Sequence, residues 1–203
     1  ELTELIADDE LPAAGAANYG RASIYAARML LAKLYMNAGV YINAPNYGGA
    51  MTQLQAVIAG PFSLDDEYRD MFLADNHTSP EIIFAVTNDG RRTQTWGGMT
   101  FLVHASCGGN MSAGDYGIDG CWWGLRMKPE MYALFGQGDL RANIFFKNGQ
   151  STTISNISDW FQGIPAPKYS NKTLAGASGS HPTHVDTDFP MFRLADAYLM
   201  AAE

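Results

Sequence analysis

Apolar residues recur at helical spacing between Tyr19 and Ala38. Ile24, Ala27, Leu31, Leu34, Tyr35 and Ala38 follow the i, i+3, i+4, i+7 rhythm of one face. Ala22, Tyr25, Ala26, Met29 and Leu30 make the other side apolar too, leaving Arg21, Arg28 and Lys33 for a solvent edge, with Gly39 closing the helix. A helix apolar on two sides needs cover on both, as in the middle layer of stacked helical hairpins. A second helix is predicted over 49–59, with Ala50, Leu54, Val57 and Ile58 on one face and Gly60-Pro61 as its stop. The Asn-, Gly- and Pro-containing turn over 41–48 folds the two into an antiparallel hairpin. Asp65, Asp66 and Glu67 suit the first turn of a short third helix that points Tyr68, Met71 and Phe72 inward.

Beyond that point the rhythm changes. The β-branched run over 81–87 predicts a strand, and 99–104 is its candidate partner. Pro129 opens a short helix with Met131, Leu134 and Phe135 inward. Segments 142–147 and 150–155 flank Asn148-Gly149, a strong hairpin signal because both turn residues tolerate positive φ. From Ile164 to His184 the chain is rich in Pro, Gly, Ser, Asn and Lys and reads as an irregular surface segment. A last helix follows, capped by Asp188, with Pro190 in its first turn and Phe192, Ala195, Leu199 and Ala202 as its apolar stripe.

The segment from Gln94 to Gly124 interrupts this pattern. Glycines 97, 98, 108, 109, 114, 117 and 120 oppose long regular structure, while Trp96, Trp122 and Trp123 oppose disorder. An aromatic loop of this length reads as a functional surface, and the rest of the chain as its scaffold.

Composition narrows the partners. The 203 residues are 47% hydrophobic and 17% charged, enough for an ordinary core, and the net charge of −8 without a basic run argues against nucleic acid. No window of about 18 apolar residues suggests a membrane span, and no signal peptide pattern is present. Both ends stop mid-pattern, which predicts a chain continuing on either side and apolar faces left exposed. Cys107 and Cys121 sit 14 apart. A disulfide stapling the loop is sterically conceivable in an oxidising compartment, and two free thiols are the plainer reading.

The final segment, Asp188-Phe189-Pro190-Met191-Phe192-Arg193-Leu194-Ala195-Asp196-Ala197-Tyr198-Leu199-Met200-Ala201-Ala202-Glu203, resembles the closing signature of SusD/RagB-like proteins. Gly20-Arg21-Ala22 with Lys33-Leu34-Tyr35-Met36-Asn37-Ala38-Gly39 is similar to the family's first tetratricopeptide-like helix. Val57 to Leu64, Tyr68 to Phe72, Ser79 to Phe84, and Phe135 with Gly138-Asp139-Leu140-Arg141 follow in the family's order. The resemblance implies a mostly α fold, a tetratricopeptide-like α/α superhelix with long irregular loops and a small β-hairpin. It implies one SusD-like domain fragment, with a helical-repeat part over 1–75, an irregular ligand-binding part over 76–185 and a returning helix over 186–203. Family members are Bacteroidetes outer-membrane surface lipoproteins that bind glycans or other nutrients and cap a SusC-like TonB-dependent transporter. The family's lipidated N-terminal cysteine is absent from this chain, so membrane attachment here is expected only through an anchor outside it.

Sugar rings have apolar C–H faces and hydroxyl edges, which suit flat aromatics beside hydrogen-bonding side chains. The expected ligand-binding residues are therefore Trp96, Trp122, Trp123 and Tyr116, with Gln94, Asn110, Asp115 and Arg126 as polar partners. No cofactor is expected. Calcium is the one metal considered, at Asp115 to Gly120 or at Asp186-Thr187-Asp188, although neither run has an EF-hand's ligand set. His181 and His184 read as an ordinary loop pair split by Pro182. A nucleophile elbow is lacking, so a noncatalytic binder is expected. The alternative is a helical-repeat module that binds a protein or peptide. Arg193, Asp196, Asp139 and Arg141 are assigned to local ion pairs.

Overall fold

Ser23 and Asn46 set the frame of the first compact unit, because each caps a helix with its side chain. In the computed structural model, which describes residues 1–8 and 10–203, Ser23 Oγ accepts from the Ala26 amide and Asn46 Oδ1 from the Gly49 amide. A short α1 (Leu2–Ala7) precedes α2 (Ile24–Met36), α3 (Ala38–Ile42) and α4 (Tyr47–Ile58). Gly39 therefore sits inside α3 rather than closing α2, and the break falls at Asn37.

The predicted antiparallel hairpin is present as α2 against α4. A Cβ on Gly60, just past α4, would lie 2.6 Å from the Tyr25 ring at the start of α2. Ala26, Met29 and Ala32 pack on Leu54 and Val57, and Arg28 Nη1 donates to Gln53 Oε1 at 2.8 Å. Leu30 and Leu34 stay exposed, as do Val40 and Ile42.

Ile82–Val86 forms β1, and its partner β2 is Phe189–Arg193. Leu194 N bonds Glu81 O at one end and Asn88 N bonds Asp188 Oδ1 at the other, so the pair is antiparallel. Two expectations change here. Residues 99–104 are not the partner strand but lie within helix α5 (Gly98–Ala105), where Met99, Val103 and His104 bury one face at helical spacing. The closing helix is α7 (Leu194–Ala202), starting later than expected, and it buries Leu194 and Ala197 while Leu199 stays 69% exposed.

Arg193 reaches beyond its own helix. Its guanidinium pairs with buried Glu81 at 3.1 Å, while its amide bonds the Asp196 carboxylate. Glu81 also accepts the Asp65 amide, so a long-range network replaces the purely local ion pair expected. Asp139 and Arg141 do pair locally at the surface, and the Arg141 hydrogen bond holds the Asp139 carboxyl below its usual range. The third helix shrinks to a 3₁₀ turn over Asp70–Phe72, with Met71 and Phe72 buried as expected.

The compact units are residues 1–66, 77–86 and 190–203 in one, and 67–76 and 87–189 in the other. Irregular backbone dominates the second. Met99, Val103, Cys107, Met111, Ile118 and Val185 make its core. The Asn148-Gly149 turn forms, closed by Gln150 N to Lys147 O, but the flanking strands do not, and 140–144 is a 3₁₀ turn. Helix α6 (Pro129–Tyr132) starts at its proline, yet Tyr132 and Phe135 pack on Phe145 while Met131 and Leu134 face out. Residues 164–184 are irregular but not merely surface. Ile164 and Asn171 are buried, and the Asn171 amide donates to the Gly117 and His181 carbonyls.

Candidate functional site

The aromatic stretch is built onto the end of α5. Trp122 N bonds His104 O at 2.9 Å, Trp123 N bonds Cys107 O at 3.1 Å, and the amides of Gly124 and Leu125 both reach Ala105 O. The contacts to His104 O and Ala105 O satisfy carbonyls that a helix leaves open at its C-terminus. Position 124 needs glycine for this approach, since a Cβ there would lie 2.9 Å from the Ala105 methyl. The docking also brings Cys121 beside Cys107. They are disulfide-bonded, with Cα atoms 4.7 Å apart, so the free-thiol reading is corrected.

Trp122 lies on the buried His104 ring, centroids 4.3 Å apart and nearly parallel. The two His104 nitrogens lie 2.6 Å from the Gly120 carbonyl and 2.7 Å from the Thr183 carbonyl, so one imidazole bridges two loops beneath the indole. Trp96 is 67% exposed, tilts against Trp122 at 5.9 Å, and meets His184 edge-on at 5.3 Å. His181 follows at 5.1 Å from His184. A run of rings thus passes from a buried histidine, through half-buried Trp122, to an open indole and two half-buried imidazoles.

Trp123 leaves this run. Its φ of +57° is a left-handed conformation that costs a residue with a Cβ about 1 kcal/mol or more. The kink turns its indole to Trp160, 5.6 Å away. Arg126 covers Trp160 at 4.3 Å and donates to the carbonyls of Ile157, Asp159 and Gln162 at 2.5–2.6 Å. Arg126 was expected to bond ligand. Its guanidinium instead clamps the 157–162 loop.

The other expected residues scatter. Tyr116 packs into the core around Met111 and Ile118, and burial raises its phenol pKa while Arg69 pulls it down. Asp115 lines a separate cleft of about 460 Å³ with Arg69, Asp70 and Lys172. Gln94 Nε2 donates to Gly90 O within its own turn, and Asn110 donates to Asn148 O. Of the eight expected residues, the structure brings only Trp96 and Trp122 into the open ring run.

No family model matches the chain. The starch-binding protein SusD of Bacteroides thetaiotaomicron is 30% identical over a 257-residue alignment covering 100% of this chain and 45% of that protein. Along its whole length the chain is similar to SusD. It therefore spans under half the length of this curated relative. A SusD superfamily protein from Parabacteroides distasonis superposes with a TM-score of 0.74 at 19% identity, over 99% of this chain and 43% of that one. Surface glycan-binding protein A from Bacteroides thetaiotaomicron, solved with laminarihexaose, gives 0.74 at 22% identity, over 99% and 47%. These superpositions agree with the mostly helical, tetratricopeptide-like fold class read from the sequence.

In this SusD-like chain, sequence reading missed Trp160, His104, His181 and His184. Trp160 lies outside the glycine-rich stretch, and His104 lay in a segment read as a strand. The only signal for the histidine loop was the His181-Pro182-Thr183-His184 spacing itself. Three of the four carboxylates weighed for calcium hold protein donors: Asp119 accepts the Thr183 hydroxyl, Asp186 the Gly90 and Ser180 amides, and Asp188 the Asn88 amide. Among the described residues, no three His, Cys, Asp or Glu side chains converge as a ligand set.

Proposed function

We propose that this chain is the ligand-holding part of a noncatalytic, surface-exposed glycan-binding lipoprotein of the outer membrane. On this reading it delivers oligosaccharide to a SusC-like TonB-dependent transporter, and its membrane attachment lies outside the chain. One observation carries the proposal: Trp96, open on one side and backed by Trp122 over His104, offers a flat apolar face of the kind that stacks on a pyranose. The names of two relatives support it, a starch-binding protein and a surface glycan-binding protein in complex with laminarihexaose.

Titration of tryptophan fluorescence with maltoheptaose and with laminarihexaose tests this reading. Saturable quenching by at least one of them is expected, weakened at least tenfold in Trp96→Ala, which corresponds to about 1.4 kcal/mol. Absence of any response to either sugar, together with capture of a protein partner by the ring surface, would favour the peptide-binding alternative. New reducing ends on incubation with either sugar would overturn the noncatalytic part.

A further inference from the structure

The loop that carries His181 and His184 is pinned along its length. Asn171 Nδ2 donates to His181 O at 3.0 Å, Asp119 N to Pro182 O at 3.0 Å, and the Thr183 carbonyl meets His104 Nε2. Thr183 Oγ1 donates to the Asp119 carboxylate. Beneath it, a Cβ on Gly90 would lie 2.2 Å from His184 O, so the neighbouring turn packs directly on the loop. The imidazoles are therefore held in place before any ligand arrives.

Backbone contacts also select opposite tautomers in the two rings. His181 Nδ1 receives the amides of both Thr183 and His184, each at 3.1 Å, so that nitrogen is an acceptor and the proton sits on Nε2. His184 Nδ1 faces the Thr95 carbonyl at 3.3 Å; a carbonyl only accepts, so the proton sits on Nδ1 and Nε2 carries the lone pair. Among the described residues, neither Nε2 has a protein partner. One donor and one acceptor thus remain on rings 5.1 Å apart, and His184 touches Trp96.

We propose that His181 and His184 are the polar recognition pair of the tryptophan platform, and that they select a sugar unit presenting two neighbouring free hydroxyls. One hydroxyl oxygen accepts from His181 Nε2–H while the other hydroxyl donates to His184 Nε2, as the sugar's C–H face lies on Trp96. This inference rests on the glycan-binding reading above. A pair that can both give and take a hydrogen bond suits a hydroxyl, which does both, better than a carboxylate or an ammonium, which does one.

The test uses the full chain, calorimetric titration with maltoheptaose and laminarihexaose, and nitrogen-15 NMR of the histidine rings. Ring spectra of the free protein are expected to show His181 protonated at Nε2 and His184 at Nδ1; the reverse assignment would overturn the pair. His181→Phe and His184→Phe keep a ring against its neighbours and are each expected to lose about five- to tenfold in affinity for the sugar that binds. An O-methylated form of that sugar is expected to bind the parent protein as weakly as the plain sugar binds the double variant. If both Phe variants bind like the parent while Trp96→Ala loses affinity, the histidine pair is wrong and the platform stands. If Trp96→Ala binds like the parent, or neither sugar binds, the platform reading falls and takes the pair with it. A Phe variant that does not fold, by circular dichroism, leaves the decision to the tautomer spectra and the O-methylated sugar.

Discussion

Trp122 and Trp123 are neighbours in sequence and belong to different devices. Trp122 lies on His104 and backs an open Trp96, whereas Trp123 turns away to Trp160, which Arg126 covers from above. One backbone torsion, the left-handed φ at Trp123, separates the two. The first cluster leaves an indole face to solvent and polar groups beside it. The second directs its cation at three backbone carbonyls and closes a loop on itself. The same residue type thus makes a presented surface in one place and a rivet in the other, and what divides them is where the polar partners go.

Both clusters hang from the staple between Cys107 and Cys121, so breaking it should disturb both. For a loop of this length the bond is worth about 3 kcal/mol. The Cys107→Ser/Cys121→Ser double variant is expected to melt roughly 6–12 °C lower, scaling about 2–4 °C per kcal/mol for a chain of this size. It should lose oligosaccharide affinity as well. An unchanged melting temperature would show that the backbone docking of 122–125 onto α5 suffices alone.

Removing the rivet separates the devices. Trp160→Ala strips Arg126 of its aromatic face and Trp123 of its partner, and should cost about 2 kcal/mol of stability by chemical denaturation. Affinity for the sugar that binds the parent should change less than twofold. Trp96→Ala should do the opposite: tenfold or more in affinity, but within about 0.5 kcal/mol in stability, because the indole is largely exposed. A Trp160 variant that binds as poorly as the Trp96 variant would merge the two clusters into one site.

How much of this was legible follows from how local each signal is. Helices α2 and α4 carry their whole argument within themselves: a capping Ser or Asn, a 3.6-residue apolar rhythm, and Gly60-Pro61 as a stop. The partner of β1 lies more than 100 residues away, and no local pattern announces such a pairing. Asn148-Gly149 shows the same limit, since its turn forms locally while strands need a partner that the fold does not supply. At the ring surface, tryptophan content alone marked Trp96 and Trp122. It could not exclude Arg126, whose donors are taken by a loop 31 to 36 residues further on, nor include His181 and His184, whose tautomers depend on backbone groups around them.

The smallest expected difference between the clusters concerns acid. Burial alone would push the Asp186 carboxyl up, but the amides of Ser180 and Gly90, the Ser180 hydroxyl and nearby Arg91 together hold it below its ordinary range. A carboxyl whose folded pKa is depressed adds stability that is present above its unfolded value, about pH 4, and is lost as pH falls through the folded value. The loop carrying His181 and His184 should therefore loosen below about pH 4, seen as faster hydrogen exchange at the Gly90 and Ser180 amides. Asp186→Asn should show that faster exchange already at neutral pH, with a modest loss of sugar affinity and little change in global stability. At the Trp160 end the anchor is the Arg126 side chain bonded to three backbone carbonyls, with no carboxylate among those contacts, so its grip on residues 157–162 should not follow the same acid step. Parallel loosening of both loops in Asp186→Asn would mean that they share one support, and the division drawn from the torsion at Trp123 would fail.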